Sequence, residues 1–297
     1  MDARPALDPR EILQAIGVED PDSVAPVTGG MDTAIWRVGH RENLYALRVF
    51  RPEQAAGIAR ETSAMVAAAA AGIPVPRLVQ QGVWNDRPVL LLGWSPGQTI
   101  AQTLMRQPWR AWSIGDAFGQ VQARLHRVAA PPVLAEKATA WIDLADWKAS
   151  SPRAQATNDK LRAQLVEQMT PQPKLIHLDY HPLNVLIVDG QVSAVLDWTN
   201  ARAGDPRADI ARTATILRLS QLPGGRMVPL IRILLRVFEA SWLAGYQRES
   251  GPLQGMGPYY AWAGKMMLRD RPGDAAQRRK IEGWIEKWFG RTLESER

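Results

Sequence analysis

The 297-residue chain contains no cysteine, which excludes a disulfide framework and any thiolate metal site. That suits a reducing compartment, and a cytoplasmic location is expected. The first ten residues, Met1 to Arg10, lack the apolar core of a signal peptide. No uninterrupted apolar run approaches the ~18 residues of a membrane-spanning helix, so no membrane partner is expected. Internal repeats and low-complexity tracts are also missing; the alanine run at 67–71 is ordinary helix-forming sequence. Acidic residues are scarce in one region. Residues 212–297 hold 15 Lys or Arg against 8 Asp or Glu, whereas the rest of the chain is nearly balanced at 21 against 22. Such a basic tail can attract nucleic acid or an anionic substrate. Solvated helix faces are the commoner origin of such charge, and nucleic acid is not expected as a partner.

What is present is enough for a buried core: 46% hydrophobic and 22% charged residues over a length that admits one large domain or two modest lobes. The most informative segment runs from His177 to Asp209. Two apolar runs, Val185 to Val188 and Gln191 to Leu196, flank Asp189-Gly190, the dipeptide that supplies positive φ at both centres of a tight hairpin turn. Folding about that turn sets Val188 against Gln191 and, by simple counting, Asn184 against Val195. Asp197 then shares the parity of Val195. Asn184 and Asp197 are expected on one face as diagonal neighbours with Cα atoms roughly 7–8 Å apart. That spacing suits two oxygen ligands on one Mg²⁺ at about 2.1 Å each, with substrate phosphates completing the shell. Asp179, five residues before Asn184, would stand beside the metal as a free carboxylate. Read singly, Asn184 also fits a hairpin cap and Asp197 a strand-end turn.

The pattern His177-x-Asp179-x-x-x-x-Asn184, a hairpin, Asp197-Trp198, then Gly204-Asp205-Pro206 with Asp209 resembles the aminoglycoside phosphotransferase family, which also covers choline, homoserine and macrolide kinases. The resemblance implies an α+β, bilobal protein-kinase-like fold. Residues 1–94 would form an N-terminal nucleotide-binding lobe of antiparallel sheet with one helix. Residues 95–297 would form a mainly helical lobe for catalysis and acceptor binding. It implies Mg²⁺-dependent transfer of the γ-phosphoryl of ATP, or of GTP, to a hydroxyl of a small molecule such as an antibiotic, an amino alcohol or a sugar. Asp179 would accept a hydrogen bond from that hydroxyl, and Asn184 with Asp197 would bind the metal. His177 would brace the loop, and His181 would meet the γ-phosphate. Asp209 would hold the loop backbone from below; its other reading is a surface carboxylate favoured by a helix N-terminus. The basic excess argues against a strongly polycationic acceptor unless a local acidic pocket forms. Oligomeric state is not legible.

Taken in order, residues 8–16 read as a helix capped by Asp8 with Pro9 at its first position. Residues 24–38 read as strand, Gly-rich turn and strand, with Gly29 and Gly30 over the phosphates under the resemblance, or as an ordinary hairpin turn without it. Residues 43–50 form a β-rich run. Arg48 stands where kinase-like enzymes carry a phosphate-binding lysine, and Glu61, on a helix over about residues 53–71, is its expected partner. A second hairpin turns at Asn85-Asp86. Its all-apolar strand, 88–92, should be buried on both faces and lead into a hinge whose backbone near Leu92 to Trp94 would hold the nucleotide base. Helices are expected over 98–107 and 112–128, as two segments within 136–170, and over 205–219, 227–249, 258–268 and 275–289. His126 fits a packed core histidine.

Two rival readings differ in class. Gly93-Trp94-Ser95-Pro96-Gly97 is a G-x-S-x-G string that could make Ser95 the nucleophile of an α/β-hydrolase. The residue after such a serine must supply an oxyanion-hole N–H, and Pro96 has none. The other rival is a non-catalytic nucleotide-binding module of the same fold, against which every catalytic position carries a competent residue. The segment of seven residues from 198 to 204 is too short for a protein-kinase activation loop, and Asp197 is followed by Trp-Thr in place of Phe-Gly.

Overall fold

The computed structural model describes residues 7–27, 33–220, 228–270 and 273–294. Gly29 and Gly30 lie outside the described residues. The N-terminal lobe is built on a five-stranded antiparallel sheet of β1 (Ser23–Pro26), β2 (Ala34–His40), β3 (Asn43–Val49), β4 (Leu78–Trp84) and β5 (Arg87–Gly93), in the order β1-β2-β3-β5-β4. Alternation along these strands divides two packed faces. Leu47, Val49, Val89 and Leu91 pack beneath Ile12 and Leu13 of helix α1 (Pro9–Ala15), whose N-cap is Asp8, and beneath its C-cap residue Ile16. Phe50, Leu90 and Leu92 belong to the other cluster, with Ala64, Met65 and Ala68 of helix α2 (Ala55–Ala70). Residues 88–92 of β5 are thus apolar throughout because they have no solvent face. Arg48 sits opposite Leu90 in the β3–β5 ladder, so its side chain emerges toward α2. Helix α2 ends at Gly72, φ +75°, where the Ile73 N–H bonds the Ala68 carbonyl and the Gly72 N–H the Ala69 carbonyl.

The C-terminal lobe is mainly helical. After the hinge come β6 (Gln98–Thr99), α3 (Ile100–Arg106), α4 (Ala111–Leu125), the one-turn α5 (Pro132–Ala135) and α6 (Pro152–Gln168). Strands β7 (Lys174–Ile176), β8 (Val185–Val188), β9 (Gln191–Val195) and β10 (Arg202–Gly204) follow, then α7 (Pro206–Leu219), α8 (Val228–Ser250), α9 (Gly257–Asp270) and α10 (Ala275–Glu294). Helix α4 lies directly on α8 through glycines: a Cβ at Gly115 would meet the Phe238 carbonyl at 2.6 Å. Phe118, Val121 and Leu125, one face of α4, are buried as their spacing predicts. No described helix is long and apolar enough to cross a membrane.

Two expectations fail. The region 136–149 holds only turns and a 3₁₀ turn at Ile142–Leu144 where a helix was expected. The Ile142 carbonyl, which a helix would give to residue 146, instead accepts from the indoles of Trp147 and Trp262, while the Asp146 N–H bonds Lys265. The helix expected from residue 98 starts at Ile100, because Gln98 and Thr99 pair with Ile187 and Leu186 of β8 before Thr99 and Gln102 form a capping box.

Candidate active site

The β8–β9 hairpin turns at Asp189-Gly190 with both φ positive, and Val188 faces Gln191. The register then slips. Ile187 faces Val192, but Leu186 faces Ala194, so Ser193 is an extra residue in β9. Its hydroxyl donates to the Pro96 carbonyl at 2.7 Å, which ties the bulge to the hinge. The simple count is therefore wrong by one: Asn184 lies opposite Leu196, whose N–H bonds the Asn184 carbonyl at 2.7 Å. In a continued strand that slip would send Asp197 to the far face. Asp197 does not continue the strand. Its φ is +59°, and this left-handed turn re-aims the carboxylate, with Oδ1 at 3.8 Å from Arg48 Nη2.

Asp179 and Asn184 meet directly. The Asn184 amide nitrogen donates to Asp179 Oδ2 at 2.9 Å and to the Asp179 carbonyl at 3.1 Å. Because the amide nitrogen is committed there, the amide oxygen is the group left to face a ligand. His181 Nδ1 accepts from the Leu183 N–H at 3.3 Å, and its Nε2 lies 3.4 Å from Asp179 Oδ1. Burial alone would raise the Asp179 carboxyl. The hydrogen bond from His181 and the charge of Arg212 outweigh it and hold the group down to about 2.

His177 is fully buried and bonded at both nitrogens. Its Nδ1 accepts the Asp179 N–H at 3.2 Å, so Nε2 carries the proton and donates to the Leu196 carbonyl at 3.0 Å. Burial lowers its pKa against the charges of Asp209, Asp179 and Asp197, and the imidazole is neutral. Its ring lies 4.7 Å from that of Trp198. It thus joins the loop carrying Asp179 to the strand end carrying Asp197, with no solvent contact for acid–base work.

On the opposite wall, Arg48 Nη1 donates to Glu61 Oε1 at 2.5 Å, and Arg48 stacks on Phe50. Thr199 donates to Glu61 Oε2 at 3.1 Å or to Asp197 Oδ1 at 2.9 Å, tying α2 to the segment after β9. Leu92 is buried, and the Arg37 guanidinium lies over the Trp94 ring, 5.3 Å from its centroid. The hinge amides at Gly93 and Trp94 are already committed, to the carbonyls of Arg77 and Leu44. Hinge carbonyls and the Ser95 N–H are what this segment has left for a base.

Asp209 lies beneath all of this, fully buried. Its Oδ1 accepts the Leu178 N–H at 2.6 Å. Its Oδ2 takes the His177 N–H at 3.3 Å, His126 Nε2 at 2.9 Å and Gln122 Nε2 at 3.3 Å. Leu178 has φ +63°, a conformation costing a non-glycine residue about 1–2 kcal/mol, and Asp209 is what holds it. Burial alone would raise the Asp209 carboxyl, but His126, His177 and the Leu178 N–H bring it below the ordinary range. The surface reading of Asp209 is thereby corrected, and His126 is a packed core histidine, with Nδ1 at 2.9 Å from the Tyr246 hydroxyl.

The family model described as the phosphotransferase enzyme family matches residues 23–262. The chain belongs to the phosphotransferase enzyme family. No curated protein matches it in sequence. Solved structures share its fold. A thermostable mutant of aminoglycoside phosphotransferase APH(4)-Ia, in ternary complex with AMP-PNP and hygromycin B, superposes with a TM-score of 0.64 at 16% identity, over 94% of this chain and 96% of that one. Aminoglycoside-3'-phosphotransferase of type VIII gives 0.58 at 18% identity, over 82% and 93%. Macrolide 2'-phosphotransferase MphH from Brachybacterium faecium gives 0.50 at 18% identity, over 93% and 96%. At these identities the likeness is one of fold.

Within this phosphotransferase the Ser95 hydrolase reading has no support. Strand β5 belongs to an antiparallel sheet and runs into β6, not into the helix that a nucleophile elbow requires. Gly97, φ +114°, is explained by packing: a Cβ there would lie 2.6 Å from the Ile187 carbonyl. Sequence reasoning passed over Thr199 and Gln122. The only signal for Thr199 is its place two residues after Asp197; Gln122 carries none.

Proposed function

We propose that this chain is a Mg²⁺-dependent kinase of a small-molecule hydroxyl, with ATP, or GTP in its place, as donor. The observation that carries the reading is the joint fixing of Asp179 and Asn184 by a direct hydrogen bond, with His177 spanning from Asp179 to the strand end that turns into Asp197. The nucleotide analogue bound to the fold relative APH(4)-Ia supports a nucleotide donor.

The residues fit Mg²⁺. One amide oxygen, of Asn184, and one half-exposed carboxylate, of Asp197, are hard oxygen donors. Among the described residues no cluster of three or more His, Cys, Asp or Glu could cage a metal. Phosphate oxygens and water would therefore complete the shell, the habit of Mg²⁺ in phosphoryl transfer. When bound, the ion supplies charge neutralisation at the phosphates. Arg48, fixed by Glu61, steadies the outer phosphates from the sheet side. Asp179 orients the acceptor hydroxyl by accepting its hydrogen bond. A carboxylate held near 2 is a weak base, so it takes the proton late, once bonding to phosphorus has acidified the hydroxyl. His177 positions the loop. His181 donates to Asp179 and stands within reach of a γ-phosphate.

The test is Mg²⁺-dependent phosphoryl transfer from ATP and GTP to a panel of hydroxylated compounds, wild type beside Asp179→Ala. Transfer that Asp179→Ala abolishes supports the kinase. Nucleotide binding without turnover for any acceptor favours the non-catalytic module.

A further inference from the structure

The hydroxyl of Thr199 stands between two carboxylates. Its Oγ1 lies 3.1 Å from Glu61 Oε2 and 2.9 Å from Asp197 Oδ1. Local structure fixes it there. The Ala201 N–H bonds the Trp198 carbonyl at 2.9 Å, which closes a turn with Thr199 at its second position. Trp198 anchors that turn: its side chain is buried, and its indole N–H donates to the Val195 carbonyl at 2.9 Å. Arg202 Nη1 holds the turn from the other end, donating to the Ala201 carbonyl at 2.8 Å and the Thr199 carbonyl at 3.4 Å. A β-branched side chain has few χ1 choices left on such a backbone. The result is a closed circuit. Arg48 Nη1 donates to Glu61 Oε1 at 2.5 Å, and Arg48 Nη2 lies 3.8 Å from Asp197 Oδ1. Its members come from β3, α2 and the segment after β9. Among the described residues no other donor reaches Glu61 Oε2. A hydroxyl has one proton and serves one carboxylate at a time, so the other carboxylate faces its bare oxygen.

We propose that Thr199 is a positioning residue whose single hydroxyl proton couples a divalent cation on Asp197 to the Arg48–Glu61 pair, so that cation and nucleotide bind cooperatively. The proposal rests on the kinase reading above. Once Asp197 shares its charge with a divalent cation, it no longer competes for the Thr199 proton. The hydroxyl turns about its C–O bond to Glu61 Oε2, and no covalent bond breaks. Glu61 then has a donor on each oxygen, and Arg48 is held in place for the phosphates. Phosphate on Arg48 acts in reverse. It draws the guanidinium charge away from Asp197 and leaves that carboxylate more available to a cation. Such coupling is reciprocal by thermodynamic necessity. Valine at 199 keeps the branched shape but has no proton to give, whereas serine keeps the proton.

The experiment uses the full chain and AMP-PNP. Calorimetry gives the Kd of AMP-PNP in EDTA and at saturating Mg²⁺, and the ratio of the two measures the coupling. In wild type Mg²⁺ should tighten binding by about tenfold or more. Thr199→Val should lower that ratio by about fivefold or more, chiefly by weakening binding with Mg²⁺, and Thr199→Ser should restore most of it. In Glu61→Gln the amide oxygen must accept from Arg48, so its NH₂ faces Thr199 and fixes the hydroxyl on Asp197. Adding Thr199→Val to that variant should therefore lower the ratio little further. In turnover, Thr199→Val should raise the Mg²⁺ concentration for half-maximal rate, with a smaller change in kcat at saturating Mg²⁺. Thr199→Ala gives a second reading should Thr199→Val fail to fold. An unchanged ratio, whether or not the ligand-free melt shifts, overturns the proposal. So does an equal loss in the Glu61→Gln background, or a loss that Thr199→Ser does not restore. A wild-type ratio near one overturns it as well. Asp179-dependent phosphoryl transfer that persists in such a case leaves the kinase reading standing; its absence faults that reading instead.

Discussion

Replacing Asp209 by Asn tests how the loop carrying Asp179 is held. The change keeps shape and removes one acceptor and the charge. Asp209 takes four donors: the Leu178 and His177 backbone N–H groups, His126 and Gln122. An asparagine NH₂ in the Oδ2 position faces three of them. His126 can adapt by moving its proton to Nδ1 and donating to the Tyr246 hydroxyl. Gln122 cannot flip freely, because its Oε1 accepts the Trp242 indole N–H at 2.8 Å. The His177 N–H has no other partner among the described residues. Two buried contacts are therefore lost and the charge-assisted bond to Leu178 weakens, which sums to about 3 kcal/mol. That is a large share of the roughly 5–15 kcal/mol that stabilises a typical protein. The Asp209 carboxyl is depressed in the native state, so its contribution is complete above the unfolded value of about 3.9 and is lost as pH falls through the native value. Urea melts of wild type and Asp209→Asn should differ by about 3 kcal/mol at pH 7 and converge in acid. Residual kcat at 25 °C should fall at least a hundredfold, because Leu178 relaxes out of its left-handed conformation. A variant within about 1 kcal/mol of wild type at pH 7, with unchanged kcat, would refute the reasoning.

The depressed Asp179 carboxyl means that the acid limb of kcat owes nothing to Asp179 until pH approaches 2. His181→Ala should move its titration, followed by carbon NMR of labelled aspartate, up toward the ordinary value of about 3.9. Glu61→Gln strands the largely buried Arg48 and should cost about 3 kcal/mol in a melt, with a raised nucleotide KM; an unaltered melt contradicts the pairing. Gly119→Ala drives a Cβ into the backbone of α8 at the Trp242 carbonyl. Overpacking there should lower stability by about 2–3 kcal/mol in calorimetry without altering the kcat of the folded fraction.

How legible this molecule was depends on scale. Hairpin turns at Asn85-Asp86 and Asp189-Gly190, the Asp8 cap and the Gly72 stop are local chemistry, and the chain carries them openly. The Arg48–Glu61 contact followed from family order, and the two groups meet at 2.5 Å. The bulge at Ser193 did not follow, because nothing in Gln191-Val192-Ser193 distinguishes a bulged residue from a paired one; the tie to Pro96 is tertiary. The direction of the Asp197 carboxylate is set by its positive φ, not by strand parity. Strands β7 and β10, three residues each, are too short for a periodic signal. The false helix before residue 150 was undone by two distant indoles.

The central claim is that Asn184 and Asp197 together hold a divalent cation against nucleotide phosphates. Electron paramagnetic resonance of Mn²⁺ titrated into the protein with AMP-PNP tests it directly. The account predicts tight Mn²⁺ binding only when nucleotide is present, weakened at least tenfold by Asn184→Ala and by Asp197→Ala separately. Mn²⁺ bound equally tightly in both variants, or bound tightly without nucleotide, would contradict it.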